Sequence, residues 1–258
     1  VIPKPSPWTS GPAIAFYRIA FIVLALGGWE FVSGRLFPSF AISKPSAIIT
    51  RLFAYLTSTN GWLDIRLTYQ EYLVGLGIGI AAGLVVAVLF ASVRMLGRIF
   101  EPIISGFNSI PMIALAPLFL ILFGIGIWSK VVIAAITVFF IIFFNVYLGI
   151  LNTPPALSDV LRVMGASKLD QLRYAIIPSI APALLAGLRL SVAIAMIGVL
   201  VGEFVASVHG VGRYIDDQTG LFNTDGTMAG IIVAVSIVLI FRGLLIALER
   251  RMMRWSRK

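Results

Sequence analysis

Six stretches of this chain, roughly residues 14–33, 70–92, 108–126, 129–151, 182–206 and 228–248, stay apolar for about the twenty residues that cross a bilayer's hydrocarbon core. Backbone in lipid must satisfy its own hydrogen bonds, so each stretch reads as a helix. Composition agrees: 59% of residues are apolar, 12% are charged and the mean hydropathy is +1.01. Soluble domains carry about 25% charged residues. The expectation is an all-α membrane protein with about six transmembrane helices, bathed in membrane lipid.

The chain has no cysteine and one histidine, His209. That excludes disulfides, thiolate metal sites and multi-histidine metal sites. A formal charge of +9 would suggest nucleic acid in a soluble protein. Here the basic residues sit mostly in loops, the ordinary positive-inside pattern, and no nucleic-acid partner is expected. With the terminal run "ERRMMRWSRK" placed in the cytoplasm, Lys4, Arg18, Arg94, Arg98, Arg162, Lys168 and Arg173 join it. Arg35, Lys44, Arg51, Arg66, Lys130 and Arg213 fall on the other side, half as many in all. An even number of spans puts both termini in the cytoplasm of a cell (inner or plasma) membrane protein. "VIPKPSPWTSGP" has no apolar core, so it reads as a Pro/Ser-rich tail and not as a signal peptide. The organisation is then a cytoplasmic N-terminal tail over 1–13 and a membrane-spanning domain over 14–258. No repeat relates the two halves, unlike many secondary transporters. A solute pathway therefore needs a second copy or a partner subunit.

Connecting segments carry further signals. In "SKPSAIITRLFAYLTSTNG", Ser43 is placed to cap a helix and Pro45 to open it. Ile48, Ile49, Leu52, Phe53, Tyr55 and Leu56 then recur at helical spacing, as in an interfacial or peripheral helix. Pro102, Pro111 and Pro117 predict a broken or bent element before and within the third span.

The most polar insertion is "SDVLRVMGASKLDQLRYAIIP", Ser158 to Pro178, within the loop 153–178. Ser158 reads as a helix cap with Asp159 in the first turn. Gly165 suits the left-handed residue that ends that helix. Ser167 with Asp170 forms a second cap, a capping box. Pro178 marks the return to the membrane. Val160, Leu161, Val163, Met164, Leu169 and Leu172 give these short helices an apolar surface. Helices this short are marginal alone and need a surface to pack on.

This segment resembles the coupling loop of ATP-binding-cassette importers, whose pattern is Glu-Ala-Ala, three residues, Gly, nine residues, Ile, any residue, Leu-Pro. Asp159, Val160 and Leu161 occupy the first three places. Gly165 and Pro178 match, Ile177 stands for Leu, and Val160, Leu161 and Ala175 depart from the pattern. "SIPMIALAPLFLILFGIGIWSK" (Ser109 to Lys130) and "IIPSIAPALLAGLRLSVAIAMIGVLVGEFVASVHGVGRYI" (Ile176 to Ile215) are similar to stretches of the nitrate/sulfonate/taurine class of importer permeases. The resemblance covers roughly residues 60–250. It implies a type I ABC importer permease fold with a cytoplasmic coupling helix pair, and a homodimer formed with a second permease copy. It further implies two cytoplasmic ABC ATPase subunits and an extracytoplasmic solute-binding protein. Asn108 stands where that class commonly has Arg, so no anion-binding role carries over there.

A Gly-rich phosphate loop with Lys and Ser/Thr is missing from this sequence. No cofactor is expected in this chain, and ATP and Mg belong to the partner ATPase. The segment expected to contact it comprises Asp159, Leu161, Arg162, Met164, Gly165, Ala166, Ser167, Leu169 and Pro178. No catalytic or metal-ligating residue is expected. Candidate pathway residues are Asn108, Ser109, Asn145, Arg189, Ser191 and Glu203. Each has a structural reading beside it: helix–helix hydrogen bonds for the Asn and Ser side chains, snorkelling for Arg189, a pair with Arg213 for Glu203. Glu101, Glu30 and Glu71 read as pairs with Arg98, Arg35 and Arg66. Gly75, Gly79 and Gly83 form a small-residue stripe for close helix packing, within the chain or between copies. Gly210 and Gly212 read as a tight turn. The resemblance implies the permease subunit of an ATP-driven importer for a small solute, an organic or inorganic anion such as a sulfonate, nitrate or aromatic carboxylate. The rival is a secondary transporter or channel acting alone.

Overall fold

A computed structural model describes residues 11–38 and 40–252; the tail before Gly11 and the basic residues Arg254, Arg257 and Lys258 lie outside the described residues. The elements are α1 (Gly11–Val32), α2 (Pro45–Thr57), α3 (Thr59–Ser92), α4 (Arg94–Asn108), α5 (Ala116–Phe123), α6 (Ile127–Leu151), α7 (Pro155–Val163), α8 (Lys168–Gln171), α9 (Ile177–Ala206), α10 (Val211–Gly220) and α11 (Thr224–Met252). A 3-10 turn, Met112–Leu115, precedes α5, and a π-turn, Leu172–Ile176, joins α8 to α9. Among the described residues, five helices are long and apolar enough to cross a membrane, or six if the pair Met95–Asn108 and Met112–Phe123 counts as one bent span.

Two compact units divide the chain: Val1–Gly61 with Tyr214–Ile232, and Trp62–Arg213 with Val233–Lys258. In the first, α1 is apolar all round and exposed along its length, as a lipid-facing helix would be. The Glu30 carboxylate of α1 accepts the Ser46 backbone N–H at 3.0 Å and its hydroxyl at 2.7 Å, which ties α1 to the start of α2. The expected pair with Arg35 does not form; that guanidinium lies over the Phe31 ring at 4.3 Å. Ser43 does not cap α2 either. Lys44 holds that position, and Ser43 is buried. Ile48 and Tyr55 are buried, with Tyr55 stacked on Tyr214 at 3.8 Å, whereas Ile49 and Phe53 face outward. α2 thus has two apolar sides, one packed and one bare.

The second unit is built around α6, the most buried span. Its side chains Val131, Ile133, Ala134, Val138, Ile142, Phe143 and Val146 are almost wholly enclosed. The glycine stripe of α3 packs on it. A Cβ on Gly75 would lie 2.8 Å from Ala134 Cβ, one on Gly79 2.6 Å from Val138 Cβ, and one on Gly83 2.9 Å from Ile142 Cβ. The stripe is therefore used inside the chain. α9 approaches α6 in the same way, where a Cβ on Gly198 would lie 3.0 Å from Ala134 Cα and one on Gly202 2.8 Å from Lys130 Cγ. Without a hydrophobic driving force between helices in lipid, such close backbone approach supplies van der Waals energy.

The proline-rich region divides as its chemistry requires. Pro102 sits inside α4 without ending it, and the expected break lies further on. The chain breaks at Ser109–Pro111 and turns by 80° into the 3-10 turn and α5. α5 ends at Gly124, whose φ of +74° favours glycine. The span expected over 108–126 thus holds only the piece Met112–Phe123, and Met95–Asn108 before it supplies the other half of the bent pair.

Candidate functional site

The polar insertion folds as a hinged helix pair. α7 begins earlier than its sequence suggested, with Pro155 in its first turn, so Ser158 and Asp159 lie inside it and do not cap it. Proline needs no N–H partner there and presets φ. Asp159 pairs with Arg162 at 2.9 Å on the exposed side. Gly165 takes φ +81°, and the N–H groups of Gly165 and Ala166 return to Arg162 and Leu161 carbonyls, the left-handed stop expected of it. The capping box also forms: the Asp170 N–H donates to Ser167 Oγ at 3.2 Å, while the Ser167 N–H and hydroxyl donate to Asp170 Oδ2 at 3.0 and 2.6 Å. The turn is thus rigid, and its apolar side is uncovered. Val160, Val163, Met164 and Leu169 are all more than half exposed, with Val163 at 89%. Leu161 is half-buried and Ala166 sits in the turn.

Pro178 does not turn the chain. Helix continues unbroken from Lys168 to Ala206, through the π-turn. Proline lacks the N–H for the carbonyl four residues back and its ring clashes there. The widened turn, in which the Ile177 N–H bonds to the Leu172 carbonyl, makes room for it. The Ser179 hydroxyl takes up the Ala175 carbonyl at 2.7 Å. The hinged turn at Gly165 is therefore followed by one rod that runs on as α9.

The pathway candidates divide. Asn145 lines a cavity of about 690 Å³ with Asn152, Thr153, Leu157, Ser179 and Pro182, next to the hinged pair. Its amide donates to the Ile141 carbonyl of its own helix at 2.8 Å and not across helices. Asn108 lines a second cavity of about 300 Å³ at the break, with Pro111, Thr137, Phe140 and Ile197. Ser109 is exposed at the end of α4 and bonds the Ser105 carbonyl at 3.3 Å. Ser191 is fully buried and lines neither cavity. Arg189 is committed to Glu249 of α11 through a two-pronged ion pair, a fork geometry that Arg favours. Among the described residues, no charged side chain lines either cavity.

Glu203 belongs elsewhere. It is fully enclosed and accepts from the Thr68 hydroxyl and the Gly212 N–H, both at 2.6 Å, in place of the pair expected with Arg213. Glu71 lies 4.0 Å from Lys130 and not beside Arg66. The ammonium of Lys130 donates to the Gly126 carbonyl at 3.0 Å. Asp64 and Thr68 are not among the sequence candidates, and Lys130 figures there only as a basic residue of the outer side. A signal was present: Asp64, Thr68 and Glu71 repeat at helical spacing on α3, a polar stripe just before its apolar run.

The family model for "binding-protein-dependent transport system inner membrane component" matches residues 75–254. The riboflavin transport system permease protein RibX of Chloroflexus aurantiacus is 32% identical over 85% of this chain and 82% of its own length. The formylaminopyrimidine transport permease protein ThiX of Halalkalibacterium halodurans is 27% identical over 92% of this chain and 95% of its own. The taurine transport system permease protein TauC of Escherichia coli is 26% identical over 90% of this chain and 86% of its own. In fold, the chain is similar to the MetNI methionine ABC transporter in an inward-facing conformation, with a TM-score of 0.62, 20% identity, and 74% and 95% of the two chains covered. A chain that spans the membrane, leaves a rigid apolar elbow bare and matches this family over most of its length belongs to the binding-protein-dependent transport system inner membrane components, the permease subunits of ABC transporters.

Proposed function

We propose that the Gly165 elbow is the contact through which an ATP-hydrolysing subunit drives this permease. The single observation behind this reading is the uncovered apolar face of Val160, Val163, Met164 and Leu169 on a turn fixed by its own caps. Bare apolar surface on a rigid support marks an interaction site. In this reading the chain works as a homodimer, each copy offering one elbow to one of two cytoplasmic ATPases that bind ATP and Mg. Both termini are cytoplasmic, as the basic residues imply. When the ATPases close, the elbow moves with α8 and α9 as one body and rocks the spans between two states. A solute delivered by an extracytoplasmic binding protein passes along a path that includes Asn108 and Asn145.

For the solute, the resemblance to the nitrate/sulfonate/taurine class favours a small anion, and the taurine relative is named for a solute that carries a sulfonate group. The uncharged lining of both cavities, with Arg189 held by Glu249, favours a second reading. It is an uncharged or zwitterionic heteroaromatic solute, the kind named for the riboflavin and formylaminopyrimidine relatives. A ligand panel on the partner binding protein separates the two: alkylsulfonates and nitrate against pyrimidines and flavins.

Purification of the chain with its ATPase, followed by reconstitution into vesicles, tests the elbow. Proline at position 165 cannot adopt the positive φ, so Gly165→Pro is expected to abolish ATP-driven uptake while the chain still inserts in the membrane. Normal uptake by that variant, or uptake by the chain alone without ATP, would overturn the reading.

A further inference from the structure

A carboxylate enclosed in a helical bundle needs partners, and Glu203 finds them in one side chain of α3 and the start of α10. Thr68, which donates to Glu203 Oε1, also accepts the Val211 N–H at 2.8 Å. Asp64 Oδ1 accepts the Gly210 N–H at 2.9 Å, and Glu203 Oε2 takes the Gly212 N–H. Three consecutive N–H groups are thus held by side chains of two different spans. The first N–H groups of a helix have no partner within it and carry the positive end of its dipole, so carboxylates and a hydroxyl suit them. The two glycines follow from this arrangement. Gly210 has φ +133°, and a Cβ there would strike the Glu203 carboxylate; one on Gly212 would lie 2.7 Å from Glu203 Oε2. The backbone is wrapped around that carboxylate.

Outside this clasp stand Val208, 75% exposed, and His209, whose Nδ1 lies 3.4 Å from Asp64 Oδ1. The loop is fixed at its base and bare at its tip. Glu203 also sits in the last turn of α9, on the continuous rod that begins at Lys168 beside the elbow. At about 1.5 Å per residue that rod is about 60 Å long, about twice the hydrocarbon core. Elbow and clasp therefore lie at opposite ends of one element.

We propose that the Ser207–Gly210 loop is a docking point for the extracytoplasmic binding protein, and that Glu203, with Thr68 and Asp64, is a positioning group that ties this loop to the α9 rod. The proposal rests on the reading of the elbow as the ATPase contact. That reading puts the loop on the far side of the membrane, the side on which the resemblance places the solute-binding protein, and the family description names dependence on such a protein. A partner that prefers the loop in one position of the rod shifts the equilibrium of the whole rod by that preference, and the linkage is reciprocal.

The chain has no cysteine, so Val208→Cys provides a single thiol for a benzophenone label. The experiment uses the permease–ATPase complex in nanodiscs and the solute-loaded binding protein of the same system. Illumination is expected to join position 208 to the binding protein. Thr68→Val removes both hydrogen bonds of the hydroxyl at nearly constant volume. It is expected to raise the binding-protein concentration for half-maximal ATPase stimulation by about tenfold, the size of one lost buried hydrogen bond. Thr68→Ser, which keeps the hydroxyl, is expected to restore it, as a merely structural loss of methyl packing would not. No adduct at 208 while the binding protein still stimulates ATP hydrolysis overturns the docking point. An unchanged half-maximal concentration in Thr68→Val overturns the positioning role. The adduct is also read on the permease alone, so failure of the elbow reading, seen as no ATPase bound, is told apart from failure of docking, seen as no adduct.

Discussion

Glycines decide how closely this bundle closes, and they do not all count equally. Gly79 and Gly77 lie two residues apart on α3 and meet opposite surroundings. A Cβ at Gly79 would lie 2.6 Å from Val138 Cβ, whereas one at Gly77 meets nothing within 4 Å. Gly79→Val is expected to lower stability by about 1–3 kcal/mol through forced separation of α3 and α6. Gly77→Ala is expected to be neutral or stabilising by about 0.5–1 kcal/mol, the usual gain in a helix interior. Thermal unfolding in detergent compares them. Equal losses at both positions would mean that the stripe acts through flexibility and not contact. Arg189 offers a second check at this scale. With its side chain 53% exposed and Glu249 17% exposed, the pair is expected to show a coupling of no more than about 1 kcal/mol in a double-mutant cycle. The stripe was legible in the sequence because spacing alone reveals it. The partner of Glu203 was not, since Thr68 lies far away in sequence and only the fold brings them together.

At the scale of elements, local chemistry was read well wherever a backbone rule applies within a few residues. The left-handed Gly165 and the Ser167–Asp170 box both formed where their pattern placed them. α7 starts before Ser158 because Pro154 and Pro155 stand ahead of it, and a proline in the first turn competes with a serine cap. The turn expected at Pro178 does not form, because a widened helical turn accommodates the ring and leaves no sequence signature. These differences give a graded test of the elbow. Asn tolerates the left-handed region, so Gly165→Asn is expected to keep most uptake. Gly165→Val, β-branched and strained at φ +81°, is expected to lose most of it, since such a conformation costs about 1–3 kcal/mol. Comparable uptake by the two would show that the geometry of this turn is immaterial. Ser167→Ala removes the cap and is expected to cost about 1 kcal/mol of local stability, seen as faster amide exchange over Lys168–Gln171.

For the whole molecule, the apolar runs disclosed the membrane class and the family motifs disclosed the transport role. The prolines foretold the break in the third span, which the 80° turn bears out, whereas the early start of α3 emerged only from the structure. A hydropathy window ends where polar residues begin, yet α3 continues as helix through Asp64 and Thr68 because buried partners satisfy them. The most direct measurement of the central claim is thiol labelling at the elbow. Val163 is 89% exposed, and Val163→Cys would be the only thiol of the chain. In membranes that hold the permease alone, the account predicts rapid reaction with a maleimide added to the cytoplasmic side. In the assembled, ATP-hydrolysing complex it predicts protection by about tenfold or more, as expected for a site buried at an interface. Equal labelling in both preparations, or labelling only from the outer face, would contradict it.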